Sequence, residues 1–485
     1  MLLLYTMRTK LSEKASQKIP EETWQVFKKF AKQGYEIYLV GAGVRNLLQN
    51  KIPIDCDFTT NATPQIIQSL FDDTFYDNKF GTVGIPIKTK QGEEVYEITT
   101  YRIEGKYSDH RRPDEIKWGK ELEEDLKRRE FTTSAMVVGP TLPIDKWDGK
   151  SLELIDFFNG QKDFKNKIIR AVGNPDQRFF EDALRMMRAI RFAAQLGFTI
   201  ESKTLNAIKK NANLIKKISG ERIRDELFKI LSSDYPADGY RLLRNAGLAQ
   251  KILPEVEKGF GIEQKSPGRH HIYDVGTHSL NSLKACKSDN PIVRLAVLLH
   301  DVGKPVTVKK EKDGLITFYN HEMAGANIAS NIARRLKLSK KDKQKLVTLV
   351  RWHQFTVDER QTDSAIRRFI RNVGKKNLKD ILAVRVADRL GGGARETSWR
   401  IERFKKKLVE VQKQPFSVTD LEINGHDVMK TLNISPGPLV GKILNQLFEE
   451  VAEDKISPKG RSASGGKNKK EYLLKRTKQI GKTLV

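Results

Sequence analysis

The 485-residue chain carries a formal net charge of +27 at pH 7, and 38% of its residues are hydrophobic. This length predicts roughly three domains, each with its own core, and the excess of Lys and Arg favours a polyanionic partner such as nucleic acid. Cys56 and Cys286 are too few for a disulfide framework or a zinc site, so a reducing cytoplasm is expected. The sequence has no apolar run of about 18 residues, which predicts no membrane role.

A strand, a small-residue turn and a helix are predicted near the N-terminus. The apolar run 37–40 is short enough for a buried strand, Gly41-Ala42-Gly43 interrupts it, and a helix is expected from Val44. A strand that enters a small-residue turn and a helix N-terminus can hold phosphate on backbone N–H groups. The segment is therefore a candidate phosphate site.

Two carboxylates follow this turn. A strand predicted over residues 54–58 would place Asp55 and Asp57 on one face, where like charges repel unless a cation lies between them. Mg²⁺ held by one or two carboxylates and substrate phosphates fits this arrangement. A surface strand ending in a turn is the alternative, but the preceding glycine turn favours the metal site. Glu97 is a candidate third carboxylate, or simply an exposed strand residue.

Two charged segments further along are candidate nucleotide contacts. A helical pattern at 121–130 contains Arg129, which is either a triphosphate clamp or part of a solvated face. A helix predicted over 176–196 places Glu181, Arg185 and Arg188 on one stripe, with Asp182 at its edge. A fixed carboxylate and guanidinium would select cytosine and adenine, because both bases present an amino donor beside a ring-nitrogen acceptor. An exposed ion-paired face is the alternative for this stripe.

Several motifs occur in a fixed order along the chain. They are Gly41-Ala42-Gly43-Val44-Arg45-Asn46, Asp55-Cys56-Asp57, the charged run 102–113, Arg128-Arg129-Glu130-Phe131-Thr132, Glu181-Asp182-Ala183-Leu184-Arg185-Met186-Met187-Arg188, and Gly220-Glu221-Arg222-Ile223-Arg224-Asp225-Glu226-Leu227. No single motif is decisive. As an ordered set they resemble the class II tRNA nucleotidyltransferases, which are the CCA-adding enzymes.

The resemblance implies an α/β head with a DNA polymerase β-like nucleotidyltransferase sheet, followed by an all-α neck and body. It also implies template-independent, Mg²⁺-dependent addition of C and A from CTP and ATP to the 3′ end of tRNA, with Asp55 and Asp57 as catalytic metal ligands. Asp182 and Arg185 would read the base. The other implied nucleotide-binding residues are Gly41, Ala42, Arg45, Arg129, Arg188 and Arg191.

A second chemical site is predicted from histidine. Six of the eight histidines lie between His270 and His353, and the order His278, His300-Asp301, His321, His353, Asp388 resembles an HD-type metal phosphohydrolase. A buried helix over 295–299 would present His300 and Asp301 to two cations, either a divalent transition metal or Mg²⁺, which could activate water. A core histidine is the alternative for any one of them. Family members with this domain act on 2′,3′-cyclic or terminal phosphates.

Four domains are expected. They are a nucleotidyltransferase head at 21–170, a helical neck and body at 171–265 that binds nucleotide and the tRNA acceptor end, an all-α HD domain at 266–395, and a helical basic tail at 396–485. The Lys/Gly/Ser-rich residues 457–470 of the tail are expected to be disordered. The sequence does not determine the oligomeric state.

Three residues depart from the family pattern. Ala42 stands where a second glycine is usual and could strain a turn that needs positive φ. Asn46 replaces an aspartate that could orient Arg45, and Glu130 is one methylene longer than the usual aspartate. Lowered or altered activity is expected from these changes. They also leave open a phosphohydrolase with a degenerate tRNA-binding head. Separately, an enzyme of the same fold that adds only the terminal A is an alternative.

Overall fold

The computed structural model describes residues 7–77, 81–89, 92–105, 115–264, 273–312, 314–355, 362–412, 418–452 and 468–484. The chain divides into two compact units, Met1–Glu257 with Arg335–Leu338, and Lys258–Arg334 with Ser339–Val485. Most of the predicted motif at 102–113, His270, His271 and most of the predicted disordered segment 457–470 lie outside the described residues.

The first unit is built on a mixed eight-stranded sheet with the order β1-β10-β9-β2-β3-β6-β5-β4. Within it β3 and β6 are parallel, and the other neighbouring pairs are antiparallel. The strands of the chain are β1 (Met7–Lys10), β2 (Ile37–Val40), β3 (Asp57–Thr60), β4 (Phe75–Asp77), β5 (Thr82–Thr89), β6 (Gly92–Thr100), β7 (Arg102–Glu104), β8 (Ile116–Trp118), β9 (Met136–Pro140), β10 (Leu152–Asp156), β11 (Ile168–Ile169), β12 (Thr199–Ile200), β13 (Lys309–Lys310) and β14 (Ile316–Thr317).

Helices alternate with the strands of this sheet along the chain, and the later part of the unit is mostly helical. In the first unit they are α1 (Glu13–Ser16), α2 (Glu21–Lys32), α3 (Ala42–Leu48), α4 (Pro64–Ser69), α5 (Leu122–Lys127), α6 (Gly160–Lys165), α7 (Pro175–Glu181), α8 (Leu184–Leu196), α9 (Ser202–Asn211), α10 (Gly220–Leu231), α11 (Pro236–Asn245), α12 (Ala249–Ile252) and α13 (Pro254–Glu257), with 3-10 turns at Thr132–Ser134, Ile144–Lys146 and Ala212–Lys217.

The second unit is mostly helical, with the short β13–β14 hairpin as an exception to the predicted all-α architecture. Its helices are α14 (Val275–Ala285), α15 (Pro291–Leu299), α16 (Lys304–Thr307), α17 (His321–Arg335), α18 (Lys340–Trp352), α19 (Asp363–Val373), α20 (Leu378–Gly391), α21 (Trp399–Val411), α22 (Gly425–Leu432), α23 (Pro438–Ala452) and α24 (Lys470–Leu484), with 3-10 turns at Lys375–Asn377 and Val418–Asp420. Among the described residues, none of the helices has the length and apolar character needed to cross a membrane.

The sheet of the first unit begins earlier in the chain than expected. Strand β1 pairs with β10 in antiparallel register, Met7 opposite Asp156, so the sheet includes residues before the predicted boundary at 21. The packed core lies between α2 and the sheet, where the rings of Phe27 and Phe58 meet edge to face at 5.8 Å. Both side chains are fully buried.

Three local predictions are wrong. Strand β3 begins at Asp57 rather than at residue 54, because Asp55 lies before it with a φ of +59° that no regular strand accommodates. Ala42 is not strained, because the turn needs positive φ only at Gly41 (+66°) and α3 already begins at Ala42. The helix predicted over 176–196 is broken, since Asp182 is extended (φ −139°, ψ 107°) and separates α7 from α8.

Phe27→Ala tests the core of the first unit. Removing a fully buried ring leaves a cavity against Phe58, and we expect the free energy of unfolding to fall by about 3–5 kcal/mol, measured by urea denaturation. The control is Val95→Ala, because Val95 is 47% exposed on β6 and should change stability by about 0.5 kcal/mol or less. Equal effects of the two substitutions would contradict the described packing.

Candidate functional site

A cavity of about 530 Å³ in the first unit, here called the first cavity, collects most of the predicted nucleotide-site residues. Its walls come from the turn after β2, the start of β3, the end of α5 and one side of α8. The lining residues are Gly41, Ala42, Arg45, Asp55, Asp57, Arg128, Arg129, Glu130, Ser134, Arg185, Arg188, Arg191, Phe192 and Gln195. Acidic and basic side chains therefore line the same cavity.

The carboxylates of the first cavity form an acidic cluster. Asp55 and Asp57 both line this cavity. Asp57 pairs in parallel register with Glu97 on β6, which is exposed and is not among the lining residues. Burial first, and then the charges of Asp55 and Glu97, raise the pKa of Asp57 to about 7. A cation would relieve this repulsion, and the all-oxygen donor set fits Mg²⁺.

The turn that brings the backbone between β2 and α3 close to the carboxylates depends on two glycines. At Gly41 a side chain would be strained by the φ of +66°, and a Cβ there would lie 3.8 Å from Asp57 Oδ2. At Gly43 a Cβ would come within 2.9 Å of the Leu39 side chain. These two positions let β2 turn directly into α3 beside the carboxylates.

Arginines line the same cavity as the acidic cluster, and one buried aspartate binds two of them. Asp125, which is fully buried, accepts from Arg128 Nη2 at 2.6 Å and from Arg129 Nη2 at 3.3 Å. It also accepts from the Thr59 hydroxyl on β3 at 3.0 Å. Burial alone would raise the pKa of Asp125, but the two arginines hold it below its usual value, so the carboxylate stays charged.

The side chain of Arg45 is oriented by residues that lie outside its predicted sequence motif. Its Nη1 donates to Ser134 Oγ at 3.1 Å, and its guanidinium lies 5.0 Å from the ring centre of Phe192. Asn46, which replaces the expected aspartate, instead donates to the Ile52 carbonyl at 3.3 Å. Ser134 and Phe192 were not predicted from the sequence, because no local spacing relates them to Arg45.

Glu130 forms a two-pronged ion pair with Arg188. Arg188 Nη2 donates to Oε1 at 2.6 Å and Nε donates to Oε2 at 2.5 Å, a bidentate geometry that fixes both planes. The next arginine along α8, Arg191, lies 3.2 Å from Glu226 and 4.4 Å from the Phe192 ring centre. Both arginines therefore present fixed charge to the cavity.

The structure separates the two predicted base-reading residues. Arg185 lines the first cavity and donates to Glu181 at 2.6 Å. Asp182 lies outside the residues that line this cavity. Its carboxylate accepts from the Leu184 N–H at 3.0 Å and from Arg222 Nη2 at 2.9 Å. Its base-reading role remains a prediction.

In the second unit the six predicted metal-ligating side chains converge. The aspartate Asp301 lies at their centre, with Oδ2 3.2 Å from His300 Nε2 and Oδ1 3.5 and 3.6 Å from the Nε2 atoms of His321 and His353. His278 Nε2 lies 3.1 Å from both His300 Nε2 and Asp388 Oδ1. Two overlapping ligand groups result, with Asp301 common to both.

Backbone carbonyls set the tautomers of three of these histidines. His300, His321 and His353 each place Nδ1 2.7 to 2.8 Å from a carbonyl oxygen three residues earlier. Because a carbonyl only accepts, Nδ1 carries the proton and Nε2 presents a lone pair to the cluster. Burial also lowers the pKa of His321. This donor set fits one or two divalent metals.

Sequence reasoning missed the basic side chains of this site. Lys304 Nζ lies 2.7 Å from Asp301 Oδ2 and donates to Gln264 at 2.5 Å, and Arg385 donates to Asp388 at 3.1 Å. Each base is three residues from the acid that it contacts, and that helical spacing could have revealed both. The site opens into a cavity of about 910 Å³, here called the second cavity.

Known families match along the chain. Residues 37–170 match a model described as "Poly A polymerase head domain", residues 197–260 match "Probable RNA and SrmB- binding site of polymerase A", and residues 310–461 match a model of tRNA nucleotidyltransferase domain 2. The CCA-adding enzyme of Ligilactobacillus salivarius is 32% identical over 469 residues, which cover 96% of this chain and 98% of the relative. That of Staphylococcus saprophyticus is 30% identical over 425 residues, covering 87% and 91%.

A solved structure agrees with these relatives. The Bacillus stearothermophilus CCA-adding enzyme in complex with CTP superposes with a TM-score of 0.68 at 25% identity, covering 96% of this chain and 98% of the other. The mixed sheet, the first cavity and the match of residues 37–170 to a polymerase head domain define the class of protein as a nucleotidyltransferase. The chain belongs to the CCA-adding enzymes, within the class II tRNA nucleotidyltransferases, and the predicted family is confirmed.

Gly303→Ala tests the geometry of the second site. A Cβ at this position would lie 2.0 Å from the His321 carbonyl oxygen and 2.6 Å from the Gly325 nitrogen, so the segment carrying Asp301 must move away from α17. We expect Mn²⁺ affinity, measured by calorimetry, to fall by about tenfold or more. Gly441→Ala is the control, because a Cβ there meets no heavy atom within 4 Å. Unchanged affinity in Gly303→Ala would contradict the described cluster.

Proposed function

We propose that the first cavity is the site at which this CCA-adding enzyme joins C and A to the 3′ end of tRNA. The observation that carries the proposal is that Asp55 and Asp57 line one cavity together with the glycine turn and six arginines. In the reaction the 3′-hydroxyl oxygen bonds to the α-phosphorus of CTP or ATP, the bond to pyrophosphate breaks, and the hydroxyl proton leaves to solvent. Mg²⁺ held by Asp55 and Asp57 would stabilise charge on the attacking and leaving oxygens.

The arginines of the first cavity would bind the triphosphate. Arg45, Arg129 and Arg188 are each oriented by a hydrogen bond or an ion pair to a buried or half-buried partner, so their charge is preorganised. Glu97, opposite Asp57 in the parallel register, is a candidate third carboxylate.

Base selection would use Arg185, which Glu181 holds in the cavity wall. A matching role for Asp182 requires its carboxylate to turn from Arg222 towards the bound base, since it lies outside the lining residues. Arg222 would then be the partner that binds the Asp182 carboxylate while no nucleotide is bound.

Several observations support CCA addition over the two alternatives. The relatives that cover almost the whole chain are CCA-adding enzymes, and the Bacillus stearothermophilus structure is a complex with CTP. The departures at Ala42, Asn46 and Glu130 are also compatible with a working site, since Ala42 is helical, Ser134 binds Arg45, and Glu130 binds Arg188 bidentately. The net charge of +27 suits tRNA as substrate. The two buried free cysteines suit a reducing cytoplasm.

Asp55→Ala should abolish incorporation of labelled CTP and ATP into tRNA that ends at the discriminator base. The loss follows because Asp55 would share the metal with Asp57. Asp73→Ala is the matched control, since Asp73 is an exposed aspartate of the same unit outside the first cavity. Substantial incorporation by the Asp55 variant would remove this residue from the mechanism.

We also propose a second activity, an HD-type phosphohydrolase, at the Asp301 cluster. It is supported by the convergence of four histidines and two aspartates whose Nε2 and carboxylate atoms face one another. Divalent cations, either transition metals or Mg²⁺, would supply an activated water. The water oxygen bonds to phosphorus, one phosphoester bond breaks, and the leaving oxygen takes a proton. Lys304 would stabilise negative charge on the phosphoryl oxygens. A 2′,3′-cyclic phosphate or terminal phosphate of RNA is the proposed substrate.

The double variant His300→Ala/Asp301→Ala should lose hydrolysis of 2′,3′-cyclic phosphates while CCA addition persists. Both residues belong to one cluster of the second unit, and neither lines the first cavity. His426→Ala is the control, since His426 is exposed and lies outside the cluster. Hydrolysis that survives in the double variant would show that the Asp301 cluster is not the hydrolytic site.

A further inference from the structure

An exposed aromatic side chain stands on the wall of the second cavity. Tyr319 lines this cavity and is 73% exposed, whereas Phe318, which also lines it, is half-buried and Phe355 is buried. Exposing a large ring to water has a cost that burial against a flat partner would remove. The ring is therefore available to a ligand that enters the cavity.

The backbone on both sides of Tyr319 is fixed. The Phe318 carbonyl accepts from His321 Nδ1 at 2.8 Å and from the His321 backbone N–H at 3.2 Å. The Asn320 carbonyl accepts from the N–H groups of Met323 and Ala324, both at 3.1 Å, and Asn320 itself has a φ of +59°. This turn ties the position of Tyr319 to the metal ligand His321, two residues further on.

Basic groups lie in the same cavity at the metal cluster. Lys304 contacts Asp301, and Arg385 contacts Asp388 while its Nε is buried with no acceptor among the described residues. Arg389 also lines the cavity. A phosphate bound at the cluster would give these cations a further acceptor.

Cations that could bind a phosphate at the cluster and an exposed aromatic ring line the same cavity, and these are groups that could contact the phosphate and the base of a nucleotide. We propose that Tyr319 is a specificity-determining residue that stacks on the base of the substrate, so that the second site takes nucleoside phosphates rather than phosphoesters in general. This inference rests on the proposed phosphohydrolase activity. Stacking tolerates any base, because every base has a π face, so the site would select for a nucleoside without selecting its sequence.

The test compares Tyr319→Ala and Tyr319→Phe in the full-length, Mn²⁺-loaded protein. The substrates are adenosine 2′,3′-cyclic phosphate, a short RNA ending in a 2′,3′-cyclic phosphate, and glycerol 1,2-cyclic phosphate, which has no base. We expect Tyr319→Ala to lower kcat/KM for both nucleoside substrates by about 10- to 100-fold, mainly through KM. The loss for the glycerol compound should be far smaller, and Tyr319→Phe should retain the wild-type preference.

The two nucleoside substrates separate a mononucleotide site from an RNA-end site, since a larger loss on one identifies the natural form. Tyr235→Ala is the control, because Tyr235 is also a large exposed aromatic, 49% exposed, but lies in the first unit outside the second cavity. Equal losses on all three substrates, or no loss on any, would overturn the proposal.

Binding keeps the test independent of turnover. If the wild-type protein hydrolyses none of the three compounds, the proposed activity fails, and calorimetric titration with adenosine 3′-monophosphate then decides the role of Tyr319. Affinity that falls about tenfold or more in Tyr319→Ala and returns in Tyr319→Phe would support a nucleotide-binding pocket. Equal affinity in the wild type and in Tyr319→Ala would overturn it.

Discussion

The first cavity depends on the buried carboxylate of Asp125. This group binds Arg128 and Arg129 at the end of α5 and accepts from Thr59 on β3, so one charge joins the helix that carries the arginines to the strand that carries Asp57. Without it the two partly buried guanidiniums would lose this counter-charge, which is costly. The acidic cluster and its opposing cations are therefore held by a residue that does not itself line the cavity.

Fixed charges recur throughout the two cavities. In the first, Glu130 and Glu226 hold Arg188 and Arg191. In the second, three carbonyls fix the histidine tautomers, and Lys304 lies against Asp301. Groups aligned before a substrate arrives need little reorganisation during a reaction, which is how protein sites stabilise developing charge. The two sites reach this state differently, the first through ion pairs and the second through backbone acceptors.

Local patterns in the sequence predicted much of the architecture. Three elements depend on short-range signals: the strand at Ile37–Val40, the helix after the glycine turn and the helix that ends before His300. The structure has them as β2, α3 and α15, respectively. The six predicted metal ligands were chosen by residue type and order, and the structure brings their side chains together, while metal binding by them stays a prediction. Predictions that assumed uniform elements were wrong at Asp55 and Asp182, where a residue with φ +59° and an extended residue interrupt the strand and the helix.

The sequence by itself determined the family, the paired carboxylates and the histidine order, because these are carried by residue identity and spacing. Only the tertiary structure decided that Ser134 orients Arg45, that Arg222 holds Asp182 away from the lining of the first cavity, and that Asp301 is common to two ligand groups. Those partners are far apart in the chain. Their pairing depends on how strands and helices pack around each site, which no local pattern of residues specifies.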